Sequence, residues 1–200
     1  MTSKKYELIA SDFKWLYRVK ALRGFGNVKA GDMGGYVSGE HNLSHYGNCW
    51  VSDNASVSDN AWVSDNAWVY GNARVSDNAR VSDNASVSDN ARVSDNACVS
   101  GSACVSGLAC VSGNATISNA KDYFIVGPAL SSGRYTTVHK TAEGYQINCG
   151  CYTTASIKEF KKRVKKEHSG DNLDSYLVIV ASLDAWVKSK LKREIENANS

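Results

Sequence analysis

The stretch Val51-Ser52-Asp53-Asn54-Ala55-Ser56-Val57-Ser58-Asp59-Asn60-Ala61-Trp62-Val63-Ser64-Asp65-Asn66-Ala67-Trp68 is one six-residue unit written three times, and the unit continues to Ala120. Val recurs at every sixth position from Val51 to Val111, Ile117 takes the next place, and Ala recurs at the same spacing from Ala55 to Ala115. Six residues is a poor multiple of the helical period. The unit therefore reads as a short strand plus a corner, with Val pointing inward and its neighbours outward. Asp-Asn makes the bend, and Gly replaces Asp at 71, 101, 107 and 113, where backbone freedom is useful. The small Ala lets each corner close over a narrow core. A unit this short cannot bury its own apolar face, so the units must stack into a solenoid.

An aliphatic residue, a small residue, two free positions and a second small residue resemble the motif of the hexapeptide-repeat, left-handed β-helix superfamily. The resemblance covers roughly residues 50–120 and implies three units per coil, each coil rising ~4.8 Å. Residues eighteen apart then share a face. Trp50, Trp68, Ser86 and Cys104 fall on one face, Ser56, Arg74, Arg92 and Cys110 on a second, and Trp62, Arg80, Cys98 and Thr116 on the third. Tryptophans crowd the N-terminal coils. Either the N-terminal segment folds back over Trp50, Trp62 and Trp68, or they meet a partner or another copy of the chain. Upstream, Val37 and Leu43 read as irregular units, and the eight-residue step from Leu43 to Val51 as a bulged corner near His45 and Tyr46.

The flanks differ in composition. Tyr6–Ala10 and Trp15–Leu22 read as a β-hairpin, which a Gly-rich lead-in joins to the repeat; together residues 1–36 form a cap over the open end. After Ala120, Tyr123–Gly127, Tyr135–Thr141 and Tyr145–Tyr152 read as strands, and Ser156-Ile157-Lys158-Glu159 as a capping box opening a helix. A second helix spans about Leu173 to Glu196. The expected fold is mainly β, a left-handed parallel β-helix of about four to five coils over residues 37–120. The 1–36 cap precedes it, and a small β-β-β-α-α module follows over residues 121–200. In this order the segments, with Val126-Gly127-Pro128-Ala129 and Asn148-Cys149-Gly150-Cys151, are similar to a group of phage- and prophage-borne hexapeptide-repeat proteins.

Charge is uneven along the chain. The 200 residues carry a formal +3, but residues 49–120 hold seven Asp against three Arg, and residues 121–200 hold 13 basic against nine acidic residues. Lys158, Lys161, Lys162 and Lys165 lie on the polar face of the first helix and form a candidate surface for an acidic partner, with nucleic acid as a further possibility. Gly127, Ser131, Ser132, Gly133 and Arg134 combine free backbone N–H groups, hydroxyls and a guanidinium fork, a combination suited to a phosphate. His139, Cys149, Cys151 and His168 are candidate metal ligands with no recognised ligand spacing. Well-known members of the resembling superfamily are acyltransferases with a catalytic His. Here residues 51–120 hold no His, so only His41 or His45 at the bulged corner is available as a base.

No apolar run is long enough to span a membrane. The N-terminal residues lack the apolar core of a signal peptide, so the six cysteines are expected as reduced thiols in a cytoplasmic setting. The function expected is non-catalytic and needs no cofactor. A β-helix rod self-associates, as a trimer by the superfamily's habit, and its C-terminal head binds a host protein or nucleotide to counter a host defence. An acyltransferase or a structural phage component is the alternative.

Overall fold

A left-handed backbone turn every six residues shapes the N-terminal unit. In the computed structural model, which describes residues 4–130, 133–150 and 152–198, Asp53, Asp59, Asp65, Asp77, Asp83, Asp89 and Asp95 all have φ between 55° and 59°. Gly71, Gly101, Gly107 and Gly113 take the equivalent place with φ between 61° and 71°. Asp tolerates this region better than most residues, and Gly enters it freely. Each corner redirects the chain into a two-residue strand. These are β4 (Trp50–Val51), β5 (Ser56–Val57), β6 (Trp62–Val63), β7 (Trp68–Val69), β8 (Arg74–Val75), β9 (Arg80–Val81), β10 (Ser86–Val87), β11 (Arg92–Val93), β12 (Cys98–Val99), β13 (Cys104–Val105), β14 (Cys110–Val111) and β15 (Thr116–Ile117).

Every third strand pairs in parallel, which makes a parallel β-solenoid of about five turns. One sheet holds β4, β7, β10 and β13, another β6, β9, β12 and β15. The third sheet runs β1 (Tyr6–Ala10), β2 (Tyr17–Ala21), β3 (Met33–Val37), β5, β8, β11 and β14. β1, β2 and β3 pair antiparallel in sequence, and β3 then joins β5 in parallel through Tyr36–Ser56 and Val37–Val57. The Gly-rich lead-in therefore supplies a strand. Leu43 bridges Val63 in parallel, so both irregular upstream units lie on the coil.

The repeated valines and alanines are almost fully buried. The polar residues of the corners bond along the stack. Asn60 donates to Asn78, and Asn78 to Asn96, at 3.2 and 3.3 Å. Asp83 Oδ2 accepts from the Gly101 N–H at 2.9 Å, and Asp95 Oδ2 from the Gly113 N–H at 2.8 Å. Each Asp thus ties its corner to the corner eighteen residues on, an outlet for an N–H that no strand ladder uses.

The chain divides into two compact units, Met1–Asp122 and Tyr123–Ser200. The second holds an antiparallel sheet in chain order, β16 (Tyr123–Val126), β17 (Thr136–Thr141), β18 (Gly144–Cys149) and β19 (Tyr152–Thr154). The third strand expected from the sequence, Tyr145–Tyr152, is two strands, because Gly150 at φ 61° turns the chain back. Helices α1 (Ile157–Glu167) and α2 (Gly170–Ala198) follow. Ser156 caps α1 by accepting the Glu159 N–H at 3.2 Å. Val138, Ile147, Cys149, Phe160, Val164 and Leu183 share one core with further residues of α2.

The geometry orders three substitutions in one corner. Val81→Ala is expected to lower the unfolding free energy by about 2 kcal/mol, the scale of a truncated core side chain. Asp83→Val, which forces a β-branched residue to positive φ, costs at least about as much. Asp83→Gly loses one hydrogen bond but relieves the backbone, and costs under about 1 kcal/mol. Urea unfolding of the three variants checks the order; equal losses for Asp83→Gly and Asp83→Val would contradict it.

Candidate functional site

The seven-stranded sheet carries a groove of about 900 Å³. Its floor is a row of outward side chains in parallel register: Tyr36, Ser56, Arg74, Arg92 and Cys110. Phe13 and Leu16, from the β1–β2 turn, form one wall. Phe13 is 56% exposed and meets the Tyr36 ring edge-on at 5.2 Å. The Arg18 guanidinium also lies over the Tyr36 ring, at 5.3 Å. The eighteen-residue spacing already aligned Ser56, Arg74, Arg92 and Cys110; it held no sign of the Phe13 and Tyr36 wall, which depends on how β1–β3 extend the sheet.

The three tryptophans separate. Trp50 is only 3% exposed, packed edge-on against Phe25 at 5.3 Å, and a side chain at Gly34 would strike its ring at 2.7 Å. Of the two alternatives read from the sequence, coverage by the N-terminal segment is the one found at Trp50, which leaves it no outward contact surface. Trp68, its register partner on the next coil, is half-buried, and Trp62 on another face remains 47% exposed.

At the bulged corner the chain holds a feature the sequence did not announce. Lys5 is fully buried, with its ammonium donating to the Cys49 carbonyl at 2.9 Å and lying 3.2 Å from Cys49 Sγ. Burial lowers the Lys5 pKa and raises that of the Cys49 thiol. The two groups and the Phe25 ring, 4.9 Å from the ammonium, close this corner. His45 stacks on Tyr6 at 4.2 Å and its Nδ1 accepts the Lys5 N–H at 3.3 Å. Burial depresses its pKa, while His41 Nε2 sits 2.7 Å from the Asp59 carbonyl.

In the second unit the lysines divide between two sides of α1. Lys158, Lys161 and Lys165 line a groove of about 620 Å³ with Ile157, Leu177 and Val180 on its floor. Lys162 lies instead with Tyr152, Glu159, Arg163 and Lys166. Arg163 pairs with Glu167 at 3.0 Å and lies over the Tyr152 ring at 4.2 Å. Arg134 lines a small pocket of about 70 Å³ with Cys149, Tyr152, His168 and Tyr176. Gly127 and Gly133 both have positive φ, whereas Ser131 and Ser132 of the expected anion loop lie outside the described residues.

The metal candidates do not converge. Thr136 and Val138 pair with Cys149 and Ile147, while Thr137 and His139 pair with Asn148 and Gln146. Side chains alternate across a strand, so Cys149 and His139 point to opposite faces of the sheet. β18 ends at Cys149 and Gly150 follows at φ 61°; Cys151, the other cysteine of the expected pair, lies outside the described residues. His168 stacks on Tyr176 at 4.3 Å. No three His, Cys, Asp or Glu side chains gather as a metal site among the described residues.

His139 is fully buried, with Nε2 3.0 Å from the Asn148 side-chain amide. Desolvation lowers its pKa to about 4. The imidazole is therefore neutral in the folded unit and protonates in the unfolded chain below its ordinary value of 6.5. The stability this contributes is complete above pH 6.5 and is lost as pH falls toward 4, by about 3 kcal/mol in all. Thermal unfolding between pH 7 and 4 is expected to show that loss, and His139→Gln to flatten it; an unchanged slope in the variant would contradict the assignment.

Among known protein families, the model described as the YdcK beta solenoid repeat matches residues 67–83, 73–89 and 91–107. No curated protein sequence matches the chain. No helix among the described residues is long and apolar enough to cross a membrane. The likeness lies within the repeat, and the chain is a β-solenoid repeat protein in that region.

Proposed function

We propose that this protein is a non-catalytic recognition protein whose second unit docks an acidic protein partner along α1. One observation carries the reading. Lys158, Lys161 and Lys165 stand at helical spacing beside the apolar floor of Ile157, Leu177 and Val180. No ion pair engages those three lysines among the described residues, whereas the neighbouring Asp184 is already paired to Lys188 at 2.6 Å. Cations beside an apolar strip fit an amphipathic segment with carboxylates flanking its apolar side chains, the helix-in-groove mode of recognition.

The finer parts of the reading come from the resemblance. The six-residue period supports a left-handed hexapeptide-repeat solenoid, and the order of the flanks supports a phage or prophage origin. On that basis the protein acts in the host cytoplasm, associates as a trimer through its solenoid, and masks a component of a host defence. Exposed Trp62 is the side chain offered to a second copy.

A labelled amphipathic helix with glutamates beside a leucine stripe is the probe. It is expected to bind the full-length protein with micromolar affinity, more weakly as salt rises, and Lys161→Glu is expected to weaken it at least tenfold. Lys192→Glu, remote from the groove, leaves it unchanged. Absence of binding, equal losses from both variants, or preferential binding of duplex DNA would overturn the reading.

A further inference from the structure

Arg74 and Arg92 are register partners on neighbouring strands of one sheet. Neighbouring strands lie ~4.8 Å apart, and like charges facing each other at that spacing destabilise a sheet. The corner carboxylates form no ion pair with Arg74 or Arg92 among the described residues and are hydrogen-bonded along the stack. Asp77 Oδ2 accepts from the Asp95 N–H at 3.2 Å and from Ser76 Oγ at 3.1 Å, and Asp95 Oδ2 accepts from the Gly113 N–H. No hydrogen bond or ion pair engages either guanidinium among the described residues. The Arg80 face offers a comparison, because its register neighbours are Trp62 and Cys98 and no second arginine stands beside it.

The paired arginines sit on the floor of the 900 Å³ groove, a volume within the range of small-molecule sites. Along that floor the order is Tyr36, Ser56, Arg74 and Arg92, one strand spacing per step. An aromatic wall of Phe13 and Tyr36 stands at one end and two guanidinium forks at the other, with the Ser56 hydroxyl between them. Each fork matches a phosphate in a bidentate manner, and two forks side by side match two adjoining phosphates. An exposed phenyl face takes a planar ring by stacking, a contact every base can make.

We propose that this groove is a binding site for a nucleoside diphosphate, with the base against Phe13, the sugar beside Ser56 and the phosphates across Arg74 and Arg92. The site is separate from the α1 groove and does not depend on the function proposed for it. Bound phosphates would neutralise the facing cations, so occupancy also stabilises the solenoid by mass action.

Calorimetric titration of the full-length protein with ADP, adenosine and pyrophosphate tests the site. ADP is expected to bind one site per chain, more tightly than pyrophosphate, and adenosine to bind weakly. Arg74→Gln and Arg92→Gln are each expected to weaken ADP at least tenfold. Phe13→Ala is expected to weaken ADP severalfold without changing pyrophosphate. Arg80→Gln, the same change at the same repeat position on another face, is expected to leave ADP binding intact; all four side chains are exposed, so each variant keeps the fold. Absence of ADP binding, pyrophosphate binding as tight as ADP, or an equal loss from Arg80→Gln would overturn the proposal.

Discussion

The structure of the first unit depends on one backbone constraint, a residue at positive φ that recurs every sixth position. That residue turns the chain through each corner, and its carboxylate or its glycine N–H ties the corner to the coil above or below. Valine then has a single inward direction, and a small residue, alanine through the repeat and Cys49 just before it, fills each corner. The corners and the core are mutually dependent: the hydrogen bonds along the stack fix the register at eighteen residues, and the register stacks valine on valine. Because every outward side chain also repeats at eighteen, the solenoid converts sequence position directly into surface position. Three consecutive repeats can vary freely outside while the interior stays unchanged.

This mapping explains what was legible in the sequence and what was not. The inward places from Val51 to Ile117 follow from the period; the parallel pairing and the alignment of Ser56, Arg74, Arg92 and Cys110 need the three units per coil that the resemblance implies. The surroundings of Trp50 follow from neither, because its burial depends on Phe25 and Gly34, which lie outside the repeat and reach it only through the antiparallel pairing of β1–β3. The same is true of the Phe13 wall. Lys5 had no periodic signal, since a buried ammonium is stabilised by carbonyls whose direction only the bulged corner defines. In the second unit, the sequence reads as one strand from Tyr145 to Tyr152, through Gly150. Its positive φ makes a hairpin there, and strand alternation then places His139 and Cys149 on opposite faces.

The two grooves share a physical logic. In each, cations stand beside an apolar or aromatic surface, and the nearby carboxylates are already engaged: Asp77 and Asp95 in the solenoid ladder, Asp184 with Lys188. In the readings proposed for the two grooves, those cations find their electrostatic complement in a bound partner or ligand. Both proposals rest on local charge rather than on the nearly balanced total.

The register is the central claim, and through-space NMR between backbone protons measures it directly. The account predicts cross-strand contacts linking Ser56 to Arg74, Arg74 to Arg92 and Arg92 to Cys110, in the pattern of parallel strands. Contacts linking Arg74 to Arg80 across an antiparallel pair would instead mean that adjacent repeats form hairpins, and the solenoid with its arginine-lined face would be wrong.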